Sequence, residues 1–114
     1  MLKVTHLYTY PIKSCRGISH SSIELNSQGM YGDRQLAVTH DGEIITQLKL
    51  PALASVVPNL NASGGIQLGA EGHGSEDFTI ATEGDNLTVD IYGNSVQTII
   101  QSNAINQWTQ FEVI

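Results

Sequence analysis

The sequence contains few cationic residues and few aromatics. Only five of its 114 residues are lysine or arginine, against eleven aspartates and glutamates, so the formal net charge is −6. A surface of this sign repels nucleic-acid backbones, and aromatic residues make up only 6% of the chain. A basic groove with stacked aromatics is therefore disfavoured, and with it an oligonucleotide-binding barrel. We expect no nucleic-acid partner.

Cysteine is also scarce. The single cysteine, Cys15, excludes an internal disulfide, and the four histidines lack the spacing of metal ligands. The sequence therefore predicts no metal site in this segment. Lys13 and Arg16 would depress the pKa of an exposed Cys15 thiol, but a lone cysteine is typically a small buried residue. We interpret Cys15 as buried and unreactive.

Long apolar runs are missing from the chain. None approaches the roughly 20 residues of a membrane helix, and the N-terminus never builds the apolar core of a signal peptide. A chain of this length buries one core but not two. We therefore expect a single soluble, cytoplasmic domain over residues 1–114, with no membrane partner.

Short strands are the main structural signal. Residues 2–10 alternate between apolar and polar side chains up to Pro11, and residues 18–25 form a second candidate strand. Residues 34–46 predict a hairpin around Asp41-Gly42, because this pair suits a two-residue turn. A helical turn is expected after Pro51. Four apolar runs follow, at residues 56–60, 66–68, 78–81 and 87–92.

The pattern of turns indicates the fold class. Turn residues separate the apolar runs at 63–65, 69–74 and 83–86, which favours a mainly β barrel or coiled sheet over βαβ units. One helix is predicted near the C-terminus, capped by Ser102 or Asn103. Its apolar face would cover the barrel with Ile105, Trp108 and Phe111.

Three of the five cations fall in two short motifs, YPIKSCRG at residues 10–17 and GDR at residues 32–34. Lys13 offers a compact charge, Ser14 a hydroxyl, and Arg34 a planar fork that matches two phosphate oxygens. Six of the carboxylates lie far along the chain, between residues 71 and 90. The motifs therefore predict an anion site. The alternative is that Asp33 and Arg34 form only a solvated ion pair.

The two motifs also carry a resemblance to a known family. With the later segment HDGEIITQLKLPALASV and a closing NQWTQF helix, they resemble the N-terminal β-barrel domain of MOSC proteins over residues 2–111. This family includes the molybdenum-cofactor sulfurase C-terminal-like proteins of bacteria and the mitochondrial amidoxime reducing component. The resemblance implies a coiled, bifurcated β-sheet barrel with one short C-terminal helix.

The resemblance implies a function as well. A C-terminal MOSC domain would follow in the same polypeptide, and the two domains would bind a molybdopterin cofactor. Lys13, Ser14 and Arg34 occupy the positions of the family's cofactor-phosphate contacts. The parent would be a bacterial oxidoreductase that reduces N-hydroxylated compounds with a ferredoxin-type electron donor. This segment alone would bind no cofactor and be inactive.

Some features depart from the family pattern. Leu48 stands where the family often has arginine, with Lys49 as a possible substitute charge, and Leu36 stands where an aromatic is common. Pyridoxal phosphate binding is also associated with MOSC modules, but no lysine here stands out as an imine former. A different class of function stays open: a stand-alone β-barrel that binds a ligand or a protein without catalysis.

Overall fold

The structure is a computed structural model that describes residues 1–61 and 64–114. Short strands dominate it: β1 (Leu7–Thr9), β2 (Ile18–His20), β3 (Leu25–Asn26), β4 (Gly29–Met30), β5 (Val38–His40), β6 (Glu43–Ile45), β7 (Val57–Leu60), β8 (Ile66–Ala70), β9 (Gly74–Phe78), β10 (Asn86–Ile91), β11 (Asn94–Ile99) and β12 (Glu112–Val113). A 3₁₀ helix covers Pro51–Ser55, and the helix α1 covers Asn103–Thr109.

The strands form small antiparallel sheets. Two have three strands, in the orders β12-β5-β6 and β7-β8-β9, and three are the pairs β1-β2, β3-β4 and β10-β11. The predicted mainly β class with one short helix is confirmed. The predicted barrel is not, because no sheet closes on itself within the described residues. A barrel needs an uninterrupted ring of paired strands, whereas these ladders end at turns after two to six residues.

Local signals located several elements correctly. The hairpin of β5 and β6 turns at Asp41 and Gly42, with φ of 51° and 80°, as a turn with two positive φ values requires. The helical turn after Pro51 and the extended segment behind it are also present. Part of the turn predicted at residues 63–65 lies outside the described residues.

Other predictions about strands were wrong. The first strand covers only Leu7–Thr9, because only these residues find a partner, in Ile18–His20, while Leu2 and Val4 are exposed. In place of a strand over residues 78–81, the polar segment Gly74–Phe78 pairs with β8. Pairing with a neighbouring strand overrides local propensity at these positions.

The helix α1 covers the core as predicted. Ser102 caps it, accepting a hydrogen bond from the Ile105 amide at 3.3 Å, and the Ile105 side chain is fully buried. Trp108 and Phe111 pack against the core, although the helix ends at Thr109 and not at the C-terminus. The core itself contains ten buried side chains: Ile12, Cys15, Leu36, Val38, Leu53, Ile66, Leu68, Phe78, Ile105 and Val113.

Within residues 1–61 and 64–114, no helix is both long and apolar enough to cross a membrane.

Candidate functional site

The backbone brings the two cationic motifs side by side. Ile12 and Leu36 form an isolated parallel bridge, and the Lys13 amide donates to the Leu36 carbonyl at 2.9 Å. The Arg34 amide donates to the Tyr10 carbonyl at 2.6 Å. Burial of Ile12 and Leu36 in the core anchors this contact, since both side chains are less than 5% exposed. Lys13 and Arg34 stay at the surface beside it.

The three predicted site residues share one depression, which we call the polar groove. It encloses about 440 Å³ and is lined by Tyr10, Lys13, Ser14, Cys15, Arg34, Thr46, Gln47 and Leu48. Lys13 and Ser14 of the first motif and Arg34 of the second therefore line the same space.

Asp33 connects the two motifs. One of its carboxylate oxygens accepts a hydrogen bond from the Tyr10 amide at 2.7 Å, and the other accepts from Nη1 of Arg34 at 2.7 Å. The Arg34 guanidinium also lies 5.3 Å from the centroid of the Tyr10 ring. The Arg34 side chain is 61% exposed, so the expected ion pair with Asp33 exists but leaves the guanidinium accessible.

The backbone at the site is held in a rare conformation. Ser14 and Arg34 have φ of 72° and 48°, and they are two of the five non-glycine residues with positive φ among those described. Such conformations cost on the order of 1–3 kcal/mol and persist where the surroundings hold them. The side-chain amide of Gln47 donates to the Ser14 carbonyl at 2.8 Å. Sequence reasoning missed this contact, which joins residues of two distant segments.

The departures from the family pattern have different consequences. Leu48 lines the polar groove and is 95% exposed, so no cation stands at that position. Lys49 does not replace it, because its ammonium donates to the Glu43 carboxylate at 2.9 Å, outside the lining of the groove. That bond and charge lower the pKa of Glu43. Leu36 is a core residue.

Cys15 is a buried residue, as the sequence predicted. Its side chain is 2% exposed, and burial raises the pKa of the thiol to about 11. A thiol of this kind is largely protonated at neutral pH and is a poor nucleophile. In the described part of the chain, no three His, Cys, Asp or Glu side chains come together as a metal site.

A second depression adjoins the first, and we call it the apolar groove. It encloses about 610 Å³ and shares Lys13, Arg34 and Thr46 with the polar groove. The rest of its lining comes from β6, β10, β11 and the segments around them: Gln35, Leu36, Ala37, Ile44, Ile80, Ala81, Asp90, Ile91, Tyr92, Gln97, Thr98, Ile99, Gln101 and Ile114. The two cations therefore stand where a polar and an apolar space meet.

Strand β11, which was not predicted from the sequence, forms part of the lining of the apolar groove. It pairs with β10 through a turn at Tyr92 and Gly93, both with positive φ. A tyrosine is unusual at such a position, so the turn signal was weak. Gly93, which lies between the apolar residues of β10 and Val96, is the sequence feature that indicates this turn.

Comparison with known proteins identifies the family of this chain. The model of the MOSC N-terminal beta barrel domain matches residues 1–112, so the chain belongs to that family. The molybdenum cofactor sulfurase of Bos taurus is 30% identical over 94 residues, which are 82% of this chain and 10% of that protein.

Two further relatives match shorter stretches. The molybdenum cofactor sulfurase of Homo sapiens is 38% identical over 56 residues, 48% of this chain and 6% of that protein. That of Oryza sativa subsp. japonica is 46% identical over 48 residues, 41% of this chain and 6% of that protein. The chain thus spans a tenth or less of the length of these relatives. All three are eukaryotic and lend no support to a bacterial origin.

Proposed function

We propose that this chain forms the phosphate-binding side of a molybdenum cofactor site. The observation that carries this proposal is the position of Lys13 and Arg34, which come from separate motifs and line one groove together with Ser14. The three relatives described above are named molybdenum cofactor sulfurases, which points to the same cofactor.

The residues of the polar groove fit a phosphate group. Lys13 and Arg34 supply positive charge, and the hydroxyl of Ser14 is a further donor for phosphate oxygens. The Asp33 carboxylate engages only one guanidinium nitrogen, Nη1, among the contacts of Arg34. The remaining N–H groups of Arg34 are available to an anion, in a chain whose overall charge is negative.

The rest of the cofactor site would come from other parts of a longer protein. In this proposal a C-terminal MOSC domain covers the groove, the chain acts as a single domain in the cytoplasm, and it is inactive alone. The molybdenum centre would supply the redox or sulfur-transfer chemistry. Reduction of N-hydroxylated compounds with a ferredoxin-type donor is the activity we propose for the parent. Cofactor sulfuration is the alternative that the relatives' names favour.

A titration with a phosphate monoester tests the anion site. We expect Lys13→Ala/Arg34→Ala to bind glycerol 3-phosphate about tenfold more weakly than wild type by calorimetry, because one cation 4 Å from a phosphate contributes on the order of 4 kcal/mol before desolvation. Lys3→Ala/Arg16→Ala is the matched control, since it also removes two positive charges, but from residues outside the polar groove. Equal affinity of the two double variants at about 150 mM salt would overturn the proposal.

The sequence of the gene distinguishes this proposal from the alternative of a stand-alone binding module. A reading frame that continues past Ile114 into a cysteine-bearing domain favours the cofactor enzyme, whereas a stop codon there favours the module. Within the enzyme class, reduction of benzamidoxime by the longer protein and an electron donor would support the reductase. Sulfuration of added molybdenum cofactor without that activity would support the sulfurase.

A further inference from the structure

We infer that the apolar groove binds the uncharged, apolar body of a small organic molecule next to the phosphate site. The inference rests on the proposed function for one point, that an anion held by Lys13 and Arg34 occupies the polar end. It adds the class of molecule that this face would present to the cofactor: a neutral compound with an aliphatic or aromatic body. The lining, the size and the distribution of polar groups each support it.

The lining contains isoleucines that the core does not use. Ile44, Ile91 and Ile99 are only half-buried, and none of them belongs to the buried core or packs against it. They come from β6, β10 and β11, so separate strands contribute apolar side chains to one concave space. Exposed apolar area of this kind is unfavourable in water and gains free energy when a ligand covers it.

The size of the groove suits a small molecule. Ligand sites in proteins typically enclose about 300–1,000 Å³ and combine an apolar lining with a few polar groups. The apolar groove encloses about 610 Å³ and has its two cations at one end, where it meets the polar groove.

Two polar side chains of the lining, Gln101 and Thr98, form hydrogen bonds within the protein. The amide of Gln101 accepts from the Ala81 amide at 2.7 Å and donates to the Ile99 carbonyl at 3.2 Å. The hydroxyl of Thr98 donates to the Leu87 carbonyl at 2.7 Å. Gln101 and Thr98 therefore offer few hydrogen bonds to a ligand, and the half-buried isoleucines of the lining favour apolar atoms beside them.

The charges at the rim favour a neutral occupant. Lys13 and Arg34 are the only cations in the lining of this groove, all of which lies in described residues, and a bound phosphate would neutralise them. Asp90 is the only acidic side chain in that lining. A second anion would find no free cation and would face this carboxylate. An uncharged body avoids both costs.

The test uses N-phenyl-1-naphthylamine, an uncharged apolar fluorophore, titrated into the full chain with glycerol 3-phosphate present. We expect saturable binding to wild type and about tenfold weaker binding to Ile44→Thr/Ile99→Thr, because threonine keeps the β-branch but removes apolar area. Val96→Thr is the matched control, since it lies on the same hairpin and outside the groove lining. It should stay within about twofold of wild type.

The affinity for glycerol 3-phosphate reports whether Ile44→Thr/Ile99→Thr is folded, and Ser14→Ala separates the two proposals. Ser14→Ala should lower the phosphate affinity and leave the affinity for the fluorophore within about twofold of wild type, because Ser14 lines the polar groove and not the apolar groove. If only the phosphate result fails, the proposed function is wrong and the apolar site stands. Absence of saturable fluorophore binding, or equal binding by Ile44→Thr/Ile99→Thr and wild type, would overturn the inference. A dimer of the wild type in sedimentation would also overturn the inference if it does not bind the fluorophore and if Ile44→Thr/Ile99→Thr abolishes it. The groove would then hold a second copy of the chain.

Discussion

The Asp33 carboxylate links the Arg34 side chain to the backbone of Tyr10. One oxygen binds Nη1 of the guanidinium at 2.7 Å, and the other binds the backbone amide of Tyr10, in the opposite motif, at 2.7 Å. An arginine side chain has many rotamers, and fixing it in advance reduces the entropy lost when a ligand binds. Asp33 therefore has two opposing effects on anion binding in the polar groove. It favours binding by positioning Arg34, and its negative charge disfavours binding.

Replacing Asp33 by alanine separates these two effects. Charge alone predicts that Asp33→Ala strengthens phosphate binding, because a negative charge leaves the site. We expect the opposite, about threefold weaker binding of glycerol 3-phosphate, since Arg34 and the Tyr10 amide both lose their partner. Calorimetry measures the affinity, and Asp77→Ala removes the same charge outside the polar groove as a control. Tighter binding by Asp33→Ala would show that the carboxylate only competes with the ligand.

Gly17 controls the position of the Tyr10 ring. A Cβ at residue 17 would lie 2.8 Å from Cε2 and 2.9 Å from Cζ of Tyr10, closer than side-chain contacts allow. We expect Gly17→Ala to displace the ring from Arg34 and to weaken phosphate binding about twofold, the size of an exposed cation–π contact. In a Tyr10→Ala background the same substitution should have no further effect. An equal loss in both backgrounds would place the effect of Gly17→Ala elsewhere.

Gln101, which lines the apolar groove, joins three segments of the chain. Its buried side chain binds the backbone of Ala81 and of Ile99, and its own amide donates to the Val113 carbonyl at 2.8 Å. We expect Gln101→Ala to lower the free energy of unfolding by about 1–3 kcal/mol, because the Ala81 amide is left without its acceptor. Urea denaturation measures this loss. Gln107→Ala, on the exposed side of α1, should change it by less than about 0.5 kcal/mol.

The buried thiol of Cys15 makes the folded chain less stable at alkaline pH. Burial raises its pKa from 9.0 to about 11, so the folded chain keeps a proton that the unfolded chain loses. The stabilisation is complete below about pH 9 and is lost as the pH rises to about 11. At 1.36 kcal/mol per pKa unit, the loss is about 2–3 kcal/mol.

Comparison with Cys15→Ala isolates this effect. The variant lacks the thiol and keeps every other ionisable side chain of the wild type. The difference in free energy of unfolding between wild type and variant should therefore shrink by about 2 kcal/mol between pH 8 and pH 11. Two parallel curves in urea denaturation would mean that Cys15 ionises as readily in the folded chain as in the unfolded one.

Sequence reasoning succeeded where the cause is local. The Asp41-Gly42 turn, the Ser102 cap and the buried Cys15 depend on a few neighbouring residues or on one residue's chemistry. It failed for β9 and β11, which are polar strands that exist because another strand pairs with them. Pairing energy depends on the partner, and a short window of sequence does not contain the partner.

The same distinction between local and tertiary causes applies to the candidate site. The sequence by itself determined the mainly β class, the family, and the three residues Lys13, Ser14 and Arg34, because motifs and composition are properties of the chain. Only the tertiary structure decided that these residues share a groove and that Asp33 holds Arg34. It also decided that Lys49 is paired elsewhere and that an apolar space adjoins the cations. Those facts depend on distances between segments far apart in sequence, and folding sets such distances through burial of side chains such as Ile12 and Leu36.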